Sequence, residues 1–234
     1  MKKKKKIVLI SVCSLVGALV LALAIPFSIL GIKTASIKND WEYLKEDAIY
    51  NKKVEVEGVN LVKQHISCGY ATIEMMSEFY GSKVTEDDLD KKNNGGVSTS
   101  STKGFYNEIN DSIKNKEFVS KTYLNNDILL KEIYESLEKN NPVAIEWAAK
   151  FEEKWTLHFS LVTSLDLNGD SVTVYNPYGY IETLGVSAFL ERTTFEAFES
   201  MPLFLNFGFA FGAFDKNAIF YLKWVSAIKV QKRI

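Results

Sequence analysis

The sequence has little of the chemistry that disulfides and metal sites require. Its 234 residues include two cysteines, Cys13 and Cys68, and two histidines, His65 and His158. Cys13 lies in a separate apolar segment, so an intrachain disulfide with Cys68 is not expected. The histidines are 93 positions apart, and the chain has no His-Glu-x-x-His or Cys-x-x-Cys pattern, so no zinc site is recognisable. We therefore expect no metal and no other cofactor.

Positive charge is also scarce outside the first few residues. Residues 2–6 hold five of the 28 basic residues, which leaves 23 against 29 acidic residues in the rest of the chain. The chain has no basic patch interleaved with aromatic residues, so no nucleic-acid partner is expected. It also has no Gly-x4-Gly-Lys-Ser/Thr loop, and so no sign of a P-loop ATPase.

The sequence does have a long uncharged segment, residues 7–32, rich in Val, Leu, Ile and Ala. About 20 apolar residues span a bilayer, whereas signal-peptide cores have only about 7–15. We predict an uncleaved transmembrane signal-anchor here, with cleavage after Ala24 or Ala35 as the alternative. The basic tail, residues 1–6, is expected to stay cytoplasmic. The chain is thus expected to be a single-pass protein of the cell membrane, with lipid as a partner and its main domain outside the cytoplasm.

The rest of the chain predicts a linker at 33–53, one domain at 54–228 and a basic tail at 229–234. The linker carries a short predicted helix that starts near Asn39 or Asp40. Helical patterns fill the first half of the domain and strand patterns the second. This order is typical of an α+β fold rather than a doubly wound parallel sheet.

Capping signals predict where the helices of the domain begin. The predicted capping residues are Thr85 (with Asp88 completing a capping box), Ser101 or Thr102, and Asn126. A further helix is predicted to begin at Cys68, where an irregular stretch ends.

The segment from Leu203 to Phe214 alternates bulky and small residues. A period of two predicts a strand of the domain core. Three alternatives remain open: a segment resting on the membrane, a cover over a substrate groove, and a second membrane span.

Cys68 is the candidate nucleophile, because an irregular stretch gives way there to a predicted helix. The N–H groups and partial positive charge of a helix N-terminus favour a thiolate. Gln64, four residues earlier, can donate its side-chain amide to a developing oxyanion. The alternative is that Cys68 is an inert, buried small hydrophobe.

His158 is the candidate base, and Asn176 is its candidate orienting acceptor. The two residues lie on predicted strands that flank a hairpin tip at residues 166–170. Because side chains alternate along a strand, the two share a face only if the hairpin has an odd-length loop or a bulge. A plain two-residue turn would separate them, so we predict a longer loop or a bulge. His65 is the rival base, but it has no evident orienting partner.

Gln64…Cys68-Gly69, Leu157-His158-Phe159 and Tyr175-Asn176-Pro177-Tyr178-Gly179 together resemble the papain-like cysteine peptidases. Within them the chain is most similar to the bacteriocin-processing (double-glycine leader) peptidase-like family, over about residues 60–192. The resemblance implies a papain-like α+β fold, in which the nucleophile helix packs on an antiparallel sheet. It also implies four roles: Cys68 as nucleophile, His158 as general base and acid, Asn176 as orienter and Gln64 as oxyanion donor.

Two departures from that family stand out. Many members have aspartate where this chain has Asn176, and an asparagine fixes the imidazole tautomer without adding charge. The bacteriocin exporters also carry a multi-span transporter and an ATPase, which this sequence lacks. We therefore expect a membrane-anchored, extracytoplasmic cysteine peptidase acting on a peptide or protein substrate. The alternatives are a non-catalytic binding or immunity-like protein on the same fold, and a related acyltransferase or transpeptidase.

Overall fold

The computed structural model describes residues 2–223, with side chains from residue 14 onward. The predicted basic tail at 229–234 and the last residues of the predicted 54–228 domain lie outside the described residues. The helices are α1 (Lys2–Ala35), α2 (Cys68–Phe79), α3 (Glu86–Lys92), α4 (Thr102–Ser112), α5 (Asn126–Glu138), α6 (Val186–Thr193) and α7 (Leu203–Phe211). The strands are β1 (Val54–Glu55), β2 (Phe118–Lys121), β3 (Val143–Phe151), β4 (Lys154–Asp166), β5 (Ser171–Asn176), β6 (Tyr180–Leu184) and β7 (Ala218–Leu222).

The strands form one antiparallel sheet, which confirms the predicted α+β class. Their order is β2-β7-β3-β4-β5-β6, and β1 pairs with the C-terminal end of β4. The helix α2 packs against β4, and α6 packs against β3. The nucleophile helix therefore lies on the antiparallel sheet, as the resemblance implies.

Capping explains the starts of the first helices. The hydroxyl of Ser67 accepts a hydrogen bond from the backbone N–H of Tyr70 at 3.1 Å and so caps α2 at Cys68. The predicted capping box of Thr85 and Asp88 is present at the start of α3. Ser101, one of the two predicted residues, caps α4. The N-cap residue of α5 is Asn125 instead of the predicted Asn126. The side chain of Asn126 donates a hydrogen bond to Asn39.

The hairpin of β4 and β5 has the predicted bulge, and its loop is longer than two residues but even in length, so the loop alone would leave His158 and Asn176 on opposite faces. Four residues separate the closing pair of its loop, and the register shifts by one residue at Thr163. Leu161 lies opposite Tyr175, so Asn176 is level with residue 160 and diagonal to His158. The bulge therefore puts His158 and Asn176 on one face of the sheet.

The predicted linker at 33–53 is not free of the domain. The helix α1 continues to Ala35, and a 3₁₀ turn follows at Glu42–Lys45. Trp41 and Leu44 are buried in the main core, and the backbone N–H of Lys38 donates to the Asn125 side chain at 3.0 Å. These contacts pack the segment beside α5.

The strand predicted from Leu203 to Phe214 is wrong, because the segment forms α7 and ends at Gly212, whose φ is +73°. A period of two repeats every four residues, so it also places Leu205 and Phe209 on one face of a helix. Both side chains enter a small core cluster with Ala148 and Phe195, against which Leu30 of α1 packs. This tertiary packing selects the helix.

Candidate active site

Cys68 is the first residue of α2 and is partly buried. The backbone N–H groups of Phe159, Gly69 and Cys68 itself act on its sulfur and favour the thiolate. Desolvation is the larger effect and raises the pKa of the thiol to about 11, with a further contribution from Glu146. The expected thiolate at the helix N-terminus is therefore not the form of the free protein near neutral pH.

The residue after Cys68 must be small. A Cβ atom on Gly69 would lie 2.2 Å from the hydroxyl oxygen of Thr99. The loop before α4 therefore packs directly on the first turn of α2, and Gly69 permits this approach. Thr99 is itself buried, and its hydroxyl has no hydrogen-bond partner among the described residues.

His158 and Asn176 form a buried hydrogen bond. The distance from Nε2 of His158 to Oδ1 of Asn176 is 2.9 Å. The amide nitrogen of Asn176 donates to Oε1 of Glu182 at 2.9 Å, which fixes which end of the amide faces the ring. Because Oδ1 can only accept, Nε2 carries the imidazole proton. The other ring nitrogen, Nδ1, is therefore the basic one.

Arg192 holds Glu182 in place behind this pair. Its two terminal nitrogens donate to the Glu182 carboxylate at 2.7 and 3.2 Å, and Nε donates to the carbonyl of Ala148 at 2.7 Å. The guanidinium also stacks over Trp147, 3.6 Å from the ring centroid. The orientation of Asn176 thus depends on a bidentate ion pair that links β6 to α6.

Tyr178 covers the imidazole. Its ring stacks on His158 with centroids 4.1 Å apart, and its backbone N–H donates to Oδ1 of Asn176 at 3.0 Å. His158 is 1% exposed as a result. Burial lowers the pKa of the imidazole to about 3; the bond to Asn176 raises it in part, and Arg192 lowers it further. The ring is therefore neutral at physiological pH.

The strand β4 brings His158 close to Cys68. Phe159, whose N–H faces the thiol, directly follows His158 in the chain. Tyr178 stacks on His158, and it is close enough to Cys68 for a thiolate there to raise the pKa of the Tyr178 hydroxyl. Among the described residues, the thiol makes no direct hydrogen bond to the imidazole. The two groups are neighbours in a neutral resting state.

Gln64 is anchored beside this pair. Its backbone N–H donates to the carbonyl of Pro177 at 2.7 Å, which ties the loop before α2 to the segment after Asn176. Its side-chain oxygen Oε1 is buried and has no hydrogen-bond partner among the described residues. The structure thus brings all four predicted site residues into one region.

His65 has two partners that the sequence did not reveal, so the expectation that it lacks any is wrong. Nδ1 lies 3.1 Å from Glu86 and Nε2 lies 3.1 Å from Asp87. The hydrogen bond to Asp87 and the charge of Glu86 raise the pKa of the imidazole. With a carboxylate at each ring nitrogen, His65 is held as an ion-pair partner and does not offer a free lone pair toward Cys68.

Glu86 is the residue that sequence reasoning missed in this loop. It is completely buried, and its two oxygens accept the backbone N–H groups of His65, Ile66 and Ser67 at 3.0 to 3.1 Å. This carboxylate therefore shapes the turn between Gln64 and Cys68. An acidic residue in the first turn of a helix usually indicates only an exposed, dipole-stabilising side chain, so its burial had no sequence signal.

Glu146 is a second missed residue, on β3. It is completely buried; one oxygen accepts from Thr102 at 2.6 Å, and the other has no partner among the described residues. Desolvation raises the pKa of its carboxyl group to about 8. The group is thus largely protonated near neutral pH and adds little negative charge beside Cys68. Its place in an apolar strand pattern gave no sign of this environment.

Comparison with known protein families agrees with this geometry. Residues 56–201 match the model of the Peptidase_C39 like family. This segment covers more than half of the chain and contains Gln64, Cys68, His158 and Asn176. No curated protein matches the chain. The chain therefore belongs to the Peptidase_C39 like family, and residues 56–201 form its cysteine peptidase-like domain.

Proposed function

We propose that the protein is a membrane-anchored, extracytoplasmic cysteine peptidase that cleaves peptide bonds through an acyl-enzyme. The observation that carries this proposal is the 2.9 Å bond between Nε2 of His158 and Oδ1 of Asn176. That bond leaves Nδ1 of His158 unprotonated. The residue that follows His158 on β4, Phe159, contacts Cys68. A neutral imidazole held in this tautomer can act as a general base toward a thiol.

In the first step, Nδ1 of His158 takes the thiol proton while Sγ of Cys68 attacks the scissile carbonyl carbon. A C–S bond forms, and the carbonyl oxygen becomes an oxyanion. The side-chain amide of Gln64 and the backbone N–H of Cys68 are the proposed donors to that oxyanion. The imidazolium of His158 then protonates the leaving amine, the C–N bond breaks and a thioester remains.

In the second step, His158 removes a proton from water, which attacks the thioester. The tetrahedral intermediate collapses with cleavage of the C–S bond. The proton returns from His158 to the sulfur, and the carboxylic acid product leaves. The free protein is regenerated with a neutral thiol and a neutral imidazole.

Because Cys68 and His158 are both neutral in the free protein, the substrate has a specific part in activating the thiol. Burial opposes both the thiolate of Cys68 and the imidazolium of His158 in the free protein. Proton transfer then accompanies attack on the carbonyl, when the oxyanion donors stabilise the developing charge. The proposed enzyme is therefore a poor nucleophile toward small alkylating agents and a better one toward a bound peptide.

Membrane anchoring is assigned to α1. Its segment Ser14–Ala35 is long and apolar enough to cross a membrane. A signal sequence has the same properties, and cleavage of this segment is the competing assignment. Alkaline carbonate extraction and N-terminal sequencing of the full-length protein separate the two.

The catalytic proposal is tested with full-length protein in nanodiscs. A proteome-derived peptide library is incubated with the wild type and with Cys68→Ala, and new peptide ends are identified by mass spectrometry. New carboxyl ends that need Cys68 support a peptidase, whereas new amide bonds indicate acyl transfer. The peptidase proposal is overturned if no new peptide ends form and Cys68 fails to react with a panel of peptidyl acyloxymethyl ketones.

The second candidate function is a non-catalytic binding protein. It is favoured by the nearly complete burial of His158 beneath Tyr178 and by the raised pKa of Cys68. In that case the thiol is a packing residue and reacts only as the pH approaches its raised pKa. The peptide and probe experiment decides between the two functions.

A further inference from the structure

The environment of α1 changes sharply at Pro26. Residues 14–25 are all exposed, whereas Pro26 is buried. Leu30, one turn later, packs on the small core cluster of α7 and β3. The later part of α1 is therefore part of the folded protein, and the earlier part has no protein cover in the described residues.

The exposed part of α1, extended back to the last lysine of the basic tail, has the length of a bilayer core. Residues 7–25 are 19 uncharged residues. At a rise of about 1.5 Å per residue they make a helix of about 28 Å, against about 30 Å for the hydrocarbon layer. Pro26 therefore lies at the level where the helix leaves the hydrocarbon, and α7 packs on the turns that follow.

The outer face of α7 is an apolar stripe next to α1. Leu203, Phe207 and Phe211 are four residues apart, and Phe204 lies beside them on the helix. Phe204 and Phe211 are each 69% exposed. The Phe207 ring lies 6.1 Å from that of Phe27 on α1, and Phe27 is itself exposed. The stripe and the bare part of α1 thus form one continuous apolar surface.

We infer that α7 lies in the outer headgroup region of the bilayer, with Leu203, Phe204, Phe207 and Phe211 in contact with lipid beside α1. Short helices with Phe and Leu on one face insert about 5–10 Å into this region. The contact between Phe27 and Phe207 keeps the stripe at the level of the bilayer surface. This inference rests on the proposed anchoring by α1.

Lipid fits this surface better than water or a second protein does. Soluble proteins rarely leave several large apolar side chains exposed side by side. The surface is also continuous with a segment whose own length matches the bilayer. Both α1 and α7 lie outside the residues that match the family, 56–201. The two helices pack on each other.

Lipid contact by α7 would set the position of the candidate active site. Leu157 packs in the same cluster as Leu205 and Phe209, and it directly precedes His158 on β4. A single membrane helix leaves the protein free to tilt relative to the bilayer. A second contact through α7 removes that freedom and holds the site at a fixed height, which suits peptide substrates that are themselves held at the membrane.

The test uses tryptophan quenching by brominated phosphatidylcholine in full-length protein reconstituted in vesicles. Phe204→Trp and Phe211→Trp report on the stripe. Ile49→Trp is the matched control, because Ile49 is 62% exposed near β1, which pairs with the far end of β4. The signal of the unsubstituted protein is subtracted from each. We expect bromines near the headgroup to lower the α7 signals about two-fold and deep bromines to lower them less.

Three outcomes separate this inference from the anchoring on which it rests. Quenching of both α7 tryptophans but not of the control supports lipid contact. Unquenched α7 tryptophans in a protein that resists carbonate extraction overturn the inference and leave the anchor intact. If those variants also form concentration-dependent cross-linked dimers, a second copy covers the stripe. Release by carbonate overturns the anchor itself, and the inference with it.

Discussion

The two histidines of this protein occupy opposite environments. His65 is 58% exposed, lies between two carboxylates, and has a raised pKa. His158 is 1% exposed, pairs with a neutral amide, and has a pKa lowered to about 3. The raised pKa favours the protonated ring of His65, whereas the lowered pKa keeps the ring of His158 neutral near pH 7.

This difference shows why the histidine nearest to Cys68 in sequence is not the candidate base. A general base needs an unprotonated nitrogen that faces the proton it removes. His65 directs both nitrogens at carboxylates, so neither nitrogen faces Cys68 as a free proton acceptor. His158 keeps one nitrogen free because Asn176 takes the other. The neighbours of each ring, rather than its distance along the chain, decide its role.

Removing each imidazole in turn is the most direct test of the difference between the two histidines. His158→Ala should lower kcat/KM for the peptide found in the library experiment by about 10²–10⁴-fold, the usual contribution of a general acid–base. His65→Ala removes an ion pair to the exposed Asp87 and one to the buried Glu86, both made by a largely exposed ring, and should change kcat/KM little. Steady-state cleavage rates of the two variants in nanodiscs provide the measurement. An equal loss in both variants would mean that the base is wrongly assigned.

Glu86 tests whether the His65 side of the site is structural. In Glu86→Gln an amide NH₂ faces backbone N–H groups that now donate to a carboxylate, and we expect the free energy of unfolding to fall by about 1–3 kcal/mol. The matched control is Asp87→Asn, which alters only the exposed partner of His65 and should cost less than about 1 kcal/mol. Urea unfolding of the full-length protein in detergent measures both. Equal midpoints for the two variants would show that the buried hydrogen bonds are not the source of the stability.

Asn176 tests why the residue that orients His158 is an amide in this chain. Its amide nitrogen donates to Glu182 at 2.9 Å, so Asn176→Asp would place two carboxylates against each other. We expect that variant to lose roughly 10-fold in kcat/KM, equivalent to about 1.4 kcal/mol. Adding Glu182→Gln removes the repulsion and should restore most of the rate. If the double variant is no better than the single one, Glu182 is not the reason for the asparagine.

Local sequence signals predicted the features that depend on residues close together in the chain. Ser67, Thr85 and Ser101 cap helices at or next to the predicted positions, since capping depends on residues only three apart. The parity of the hairpin could be argued in advance for the same reason. The fate of Leu203–Phe214 could not, because alternation is compatible with either a strand or a helix and the contact with α1 is made across the whole chain.

The candidate site was predictable to the same extent. Gln64, Cys68, His158 and Asn176 are polar or reactive residues at recognisable positions, and the structure gathers them. Glu86 and Glu146 could not be found, because burial turns an ordinary acidic residue into a backbone acceptor or a protonated acid. The protonation of Cys68 was also beyond reach, since the favourable helix N-terminus is visible in sequence and the desolvation is not.

The two histidines are also expected to differ in how the stability of the protein depends on pH. The pKa of His158 is depressed in the folded protein, so its contribution to stability is present above the ordinary pKa of about 6.5 and is lost as the pH falls toward 3. The pKa of His65 is raised, so its contribution is present below about pH 6.5 and is lost as the pH rises through the raised value. The two slopes have opposite signs.

Unfolding of wild type, His158→Gln and His65→Gln between pH 4 and 8 separates these contributions, because Glu146 and the other titrating groups are common to all three and cancel in the differences. Relative to His158→Gln, the wild type should lose up to about 1.4 kcal/mol per pH unit on acidification below pH 6.5. Relative to His65→Gln, it should instead gain stability on acidification. A flat difference for His158→Gln would mean that the buried ring already carries a proton in the folded state. The resting site would then be a thiolate–imidazolium pair, and the substrate-assisted proton transfer proposed here would be unnecessary.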